Sequence, residues 1–94
     1  MKPIEEMIAI VREALTYVKP DSDFMWSSYS NYNQFISDVE QTIENAKSGK
    51  RKKVKELSYL FLPTSDLQEL SLSNGWGEEF IKIADRFDDA YLQL

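Results

Sequence analysis

The chain has 94 residues, with 11 basic and 16 acidic side chains, a formal net charge of −5, and neither histidine nor cysteine. Lack of cysteine excludes disulfides, thiolate metal sites and cysteine nucleophiles, and lack of histidine excludes Ser-His-Asp triads and histidine-bound zinc. Hydrophobic residues make up 43% of the chain, enough for one core at this length, so we expect a single folded domain over residues 1–94. This composition favours binding over catalysis. We expect no catalytic residues, no cofactor and no metal site.

The N-terminal segment does not resemble a secretory signal. Two acids, Glu5 and Glu6, stand where such a signal needs an apolar run. No stretch reaches the 18 apolar residues of a membrane span. We therefore expect a cytoplasmic protein that does not associate with a membrane.

Two amphipathic helices are predicted in the first half of the chain. Apolar residues from Ile4 to Val18 recur at the helical spacing, and Pro3 suits a first-turn position. The same spacing runs from Tyr32 to Ala46, where Asn31 or Asn33 would serve as the N-cap.

The middle of the chain predicts two shorter helices. After a turn at Gly49, apolar residues from Val54 to Phe61 indicate a third helix. Ser65 and Gln68 then match a capping box, in which Ser65 accepts from the Gln68 amide and the Gln68 side chain reaches back. A short helix should follow, and a brief extended segment over residues 70–73 is the alternative.

Apolar residues from Phe80 to Leu94 mark the last predicted helix, which runs almost to the end of the chain. Glu78 and Glu79 lie in its first turn, where the helix dipole favours acids. The sequence therefore predicts an all-α fold, a compact antiparallel helical bundle of four main helices plus one short helix.

Residues 21–33 form the segment most informative about function. They contain one tryptophan and two tyrosines among serines and asparagines, no lysine or arginine, and two aspartates at the start. Tyrosine and tryptophan supply large contact areas at low entropic cost, while serine and asparagine adapt their hydrogen bonds. The candidate partner-binding residues are Asp21, Asp23, Trp26, Tyr29, Tyr32 and Asn33. The alternative is that the aromatic residues here cover the open end of the core.

A basic segment contrasts with this acidic one. Six of the eleven basic residues fall within residues 47–55, without an acid among them. They are Lys47, Lys50, Arg51, Lys52, Lys53 and Lys55. Clustered cations of this kind could contact phosphates of a nucleic acid or an anionic lipid. The alternative is a solvated turn, stabilised by positive charge at the C-terminal end of the second helix.

Two further features of the sequence are candidate sites. Asp85, Asp88 and Asp89 share one face of the last helix. With Glu78 they could hold a hard cation, but a water-facing acidic stripe is the simpler interpretation. Trp76 stands between two glycines and could either present its indole to a partner or close the core.

Residues 60–77, Leu-Phe-Leu-Pro-Thr-Ser-Asp-Leu-Gln-Glu-Leu-Ser-Leu-Ser-Asn-Gly-Trp-Gly, followed by Glu78, Glu79 and Phe80, resemble a pattern of small bacterial proteins. Some of those proteins look like immunity partners in polymorphic toxin systems. More broadly, a short acidic helical chain is similar to the immunity proteins of colicins and contact-dependent inhibition toxins, which bind a cognate toxin domain and block it. The resemblance implies a protein partner and carries no catalytic signature.

We therefore expect an immunity protein that neutralises a basic toxin domain, a nuclease, through the acidic aromatic surface of residues 21–33. The alternative is a nucleic-acid-associated regulatory protein that uses the basic turn at residues 47–55. Self-association is a further expectation to test, because two tryptophans and five tyrosines do not fit easily inside so small a core.

Overall fold

The structure, a computed structural model, describes residues 2–25, 27–63 and 65–94. It contains five α-helices and one short 3-10 turn, and no strand occurs among the described residues. The helices are α1 (Pro3–Leu15), α2 (Tyr32–Ala46), α3 (Arg51–Ser58), α4 (Asp66–Ser73) and α5 (Gly77–Tyr91), and the 3-10 turn (Tyr59–Phe61) directly follows α3. The predicted all-α fold is confirmed.

Local capping explains where α2 and α4 begin. Asn31 Oδ1 accepts from the Gln34 amide at 2.9 Å, and Ser65 Oγ accepts from the Gln68 amide at 3.1 Å. The predicted return bond of the capping box is wrong. The Ser65 amide instead donates to the Leu62 carbonyl at 3.0 Å, and Gln68 Oε1 is buried without a hydrogen-bond partner.

Two helix ends differ from the predicted spacing. Helix α1 ends at Leu15, and tight turns continue the chain beyond it. The Val18 amide donates to the Leu15 carbonyl in one of these turns, and Val18 is buried. The third helix tightens into the 3-10 turn before Pro63, as helices commonly do at their C-terminal ends. Residues 70–73 are helical, so the extended alternative for this segment is wrong.

Helix α1 packs mainly against α5, and α2 packs mainly against α3. The Tyr17 ring, just beyond α1, stacks on Trp76 at the start of α5, with ring centroids 5.0 Å apart. At the other end, Pro3 and Gln93 line one small cleft. Helices α1 and α5 therefore run in opposite directions, while the antiparallel order of the other helices stays a prediction.

One continuous core joins all five helices. It includes an aromatic stack in which Phe61 lies 4.5 Å from Phe87 and 5.9 Å from Phe80, centroid to centroid. Leu67 and Leu70 bring α4 into this core. An isolated eight-residue helix is marginal in water, so α4 depends on this burial and on its caps.

Two exposed ion pairs connect α1 to its neighbours. Arg86 forms a bidentate pair with Glu13, at 2.7 and 2.9 Å, and Arg12 pairs with Glu40 at 2.8 Å. Hydrogen bonding from Arg86 lowers the pKa of Glu13. Such exposed pairs are worth about 0–1 kcal/mol, so the core and not these charges holds the helices together.

The two glycines that flank Trp76 should respond differently to alanine. Gly75 has a φ of +81°, a conformation that costs an alanine about 1 kcal/mol, so Gly75→Ala should lower the free energy of unfolding by about that amount. Gly77 begins α5, and an added Cβ would meet only the flexible, exposed end of Leu72 at 3.1 Å. Gly77→Ala should therefore leave stability within about 0.5 kcal/mol of the parent. Urea unfolding of both variants checks this, and equal losses would contradict it.

Candidate partner-binding loop

The predicted binding residues lie in and just after the segment between α1 and α2, whose residues 19–31 we call the acidic loop. Asp21, Asp23 and Asn33 are exposed. Tyr29 and Tyr32 are half-buried and pack against the core. Trp26 lies outside the described residues. The structure thus brings the five described candidates to one region, with three of them open to a partner.

Two aromatic residues of the acidic loop, Phe24 and Tyr29, face inward. Phe35 of α2 receives Phe24 at 6.2 Å and Tyr29 at 5.2 Å, the latter edge-on. Phe24 and Tyr29 therefore cover the core, while Asp21 and Asp23 are exposed to solvent. Met25, beside Phe24, is 75% exposed.

Short-range hydrogen bonds give the acidic loop a defined shape. The Asp23 carboxylate accepts from the Met25 amide at 2.9 Å, an Asx turn. Ser27 Oγ donates to the Phe24 carbonyl at 2.9 Å, and Ser22 Oγ accepts from the Lys19 amide at 2.9 Å. Serine and aspartate therefore fold this segment locally without regular secondary structure.

Residues at both ends of helix α4 form hydrogen bonds with the acidic loop. At its C-cap, Asn74 Oδ1 accepts from the Asp23 amide at 2.8 Å, and Asn74 Nδ2 donates to the Asp23 carbonyl at 3.0 Å. Asn74 Nδ2 also donates to the Leu70 carbonyl at 2.9 Å. At the first residue of α4, the Asp66 carboxylate accepts from both the amide and the hydroxyl of Ser28 at 2.7 Å. We call these contacts the α4 clamp.

Sequence reasoning missed the α4 clamp. The sequence predicts that Asn74 ends a helix and that Asp66 is an acid in its first turn, and both residues do occupy these positions. Their loop partners lie 51 and 38 residues away along the chain. Hydrophobic periodicity does not report hydrogen bonds at such separations.

The surroundings of the acidic loop are negative. Residues 20–46 contain five acids and no base. Two of these acids, Glu40 and Glu44, are paired with Arg12 and Lys47. The described loop residues also surround an open concavity of about 550 Å³ lined by Asp23 and several serines. The arrangement offers hydrogen-bond acceptors and negative charge to an incoming cationic group.

Tyr29 shows the effect of this environment. Burial raises the pKa of Tyr29 to about 12, and the nearby Asp38 and Asp66 carboxylates act in the same direction. Ionisation would place a phenolate beside two carboxylates in a partly desolvated position.

The other candidate features occupy different positions. Trp76 is only 5% exposed and closes the core, with its Nε1 buried and unpaired. Asp85, Asp88 and Asp89 are all exposed on α5.

Among the described residues no group of three potential ligands is placed to hold a metal ion. Within the same part of the chain, no helix is long and apolar enough to cross a membrane.

Removing the C-terminal half of the α4 clamp should loosen the acidic loop. Asn74→Ala deletes three partly exposed hydrogen bonds and should lower the free energy of unfolding by about 1–3 kcal/mol. The Asp23 amide should also exchange with deuterium faster. Asn33→Ala, the same substitution at an exposed position, is the control and should change stability by less than about 0.5 kcal/mol. Unchanged protection of Asp23 in Asn74→Ala would exclude the clamp as the restraint.

Stability at alkaline pH should depend on Tyr29. An unfolded tyrosine titrates near pH 10, and this one near 12 when folded. The raised pKa therefore contributes stability that is complete below about pH 10 and lost as pH rises toward about 12. Urea unfolding at pH 9 and pH 11 should show a larger loss for the parent chain than for Tyr29→Phe. Equal losses would show that Tyr29 is not the responsible group.

Comparison of the chain with models of protein families, with curated proteins and with solved structures gives no match.

Proposed function

We propose that this chain is an immunity protein, which binds a basic toxin domain through the acidic loop and neutralises it by covering its active cleft. The observation that carries the proposal is the α4 clamp. It holds a loop of exposed acids in one shape from both ends of a helix that is itself anchored in the core. Residues 60–80, whose pattern resembles small bacterial proteins that include immunity partners, contain α4 and its C-cap residue, and so both Asp66 and Asn74 of the clamp.

A restrained loop favours tight binding. Ordering one rotamer-rich side chain at an interface costs about 0.5–1.5 kcal/mol, and ordering a backbone segment adds to that. In the acidic loop, the Asx and serine turns and the α4 clamp already order the backbone when the protein folds. Binding free energy is then not spent on shaping the loop.

Charge favours a cationic partner. Asp21 and Asp23 are exposed at the loop, and Asp23 also lines its concavity. A nuclease cleft is positive because it must attract phosphates, so a negative surface accelerates encounter and selects against acidic proteins. Neutralisation of this kind needs only coverage of the cleft.

Met25 supplies the apolar part of the proposed interface. Its side chain is 75% exposed, although the loop around it is fixed by hydrogen bonds. Residues that lose most of their solvent contact at an interface carry much of the binding energy, and they act mainly on the dissociation rate. The aspartates should therefore govern association, and Met25 should govern dissociation.

The test is binding to the protein encoded by the adjacent gene, measured by biolayer interferometry together with rescue of growth on co-expression. Asp21→Lys combined with Asp23→Asn should weaken binding by about 100-fold, mainly through slower and less salt-sensitive association. The Asn at position 23 retains an acceptor for the Met25 amide. Met25→Ala should instead raise the dissociation rate.

A charge-matched control is Asp88→Lys combined with Asp89→Asn, on exposed positions of α5. This pair should bind and protect like the parent chain. Lack of binding by the parent chain, or equal weakening by both charge variants, would refute the proposal.

A further inference from the structure

The basic turn is distinct from the acidic loop, and the structure adds an exposed aromatic residue to it. Arg51, Lys52 and Lys55 are exposed on α3, and Tyr59, in the adjoining 3-10 turn, is 51% exposed. Arg51, Lys55 and Tyr59 follow one another at intervals of four residues, so they line up along one side of the helix over about 12 Å. We call these four residues the basic stripe.

Within the described part of the chain, the cations of the basic stripe form no salt bridge with a carboxylate. Lys47 pairs with Glu44 at 2.8 Å and Lys53 with Glu56 at 3.7 Å. Among the described residues, no salt bridge involves Lys50, Arg51, Lys52 or Lys55. Lys47 is the C-cap residue of α2, so it is placed to stabilise the end of that helix, as the alternative of a solvated turn expects. Arg51 and Lys52 lie in the first turn of α3, where the helix dipole disfavours cations.

The negative charge of the remaining chain does not cancel the basic stripe at close range. Charges in physiological salt are screened over about 8 Å. The acids nearest to the basic stripe along the chain, Glu44 and Glu56, are each paired with a lysine. A polyanion would meet the local cation cluster first.

We infer that the basic stripe binds single-stranded nucleic acid, with Arg51, Lys52 and Lys55 on phosphates and Tyr59 stacked on an unpaired base. Cations beside an aromatic platform are what single strands use, because every base presents a stacking face. A base within a duplex does not offer that face to a side chain. This inference goes beyond the proposed immunity function and does not depend on it.

The structure disfavours an anionic membrane as the ligand. A helix that lies in a membrane interface inserts a broad apolar side. The apolar residues of α3, Val54 and Leu57, are 2% and 0% exposed because they face the core. The exposed side of α3 therefore presents cations, followed by Tyr59 and by Leu62, which is 47% exposed, and the helix itself has no broad apolar face to insert.

The experiment measures fluorescence anisotropy of a labelled 12-nucleotide single-stranded RNA titrated with the full chain at several salt concentrations. Four unpaired cations, Lys50 included, predict a slope of log K against log salt of about −3. Arg51→Gln combined with Lys55→Gln should halve that slope and abolish binding above low salt. Tyr59→Ala should weaken binding at least about fivefold, whereas Tyr59→Phe should not.

Controls separate this result from misfolding and from non-specific charge. Lys19→Gln combined with Lys82→Gln removes the same charge from exposed positions elsewhere and should bind RNA like the parent chain. The stripe variant should melt close to the parent, because it removes one cation from the first turn of α3, where the helix dipole disfavours it, and one from the last turn, where the dipole favours it. Three results would each overturn the inference: no RNA binding at low salt, equal loss in both paired variants, or binding to phosphatidylserine vesicles without binding to RNA.

Discussion

The hold of α4 on the acidic loop is the interaction on which the exposed surface depends. The eight-residue α4 gains its stability from Leu67 and Leu70 in the core and from the caps at its ends. Asn74 bonds the Leu70 carbonyl within the helix and the Asp23 backbone outside it. Helix termination and loop restraint are thus one set of hydrogen bonds, so unwinding the end of α4 would release the loop as well.

The two interpretations of the acidic loop, core cover and binding surface, turn out to be compatible. Phe24 and Tyr29 turn toward Phe35, and the raised pKa of Tyr29 reports that burial. Asp21 and Met25 stay exposed. Phe24 and Tyr29 anchor the loop, and this anchoring keeps the outward residues in place for the proposed partner.

Periodicity and capping chemistry were enough to predict most of the fold. Asn31 caps α2 as its side chain predicts, because an N-cap needs only an acceptor near the amide three residues later. The predicted hydrogen bond from the Ser65 amide to the Gln68 side chain does not form, because this amide donates to the Leu62 carbonyl instead. The capping motif does not take that competing acceptor into account.

The candidate site was predicted only in outline. Composition identified the acidic loop, but its restraint by Asp66 and Asn74 depends on the packing of α4, which brings distant parts of the chain together. Tyr59 was assigned to the apolar spacing of α3. Tyr59 lies about 200° around the helix from the buried Leu57, so it is exposed on the side opposite Leu57 and Phe61.

Charge is divided along the molecule in a way that bears on both proposals. Residues 20–46 carry only acids, and residues 47–55 carry only bases. Both segments adjoin α2, with the acidic loop before its N-cap and the basic segment after its last residue. Helix α2 has 15 residues and so spans about 22 Å, more than two screening lengths in physiological salt. The two ends of α2 therefore present opposite charge, with acids before the helix and cations after its last residue. That separation is why a net charge of −5 is a poor description of either surface.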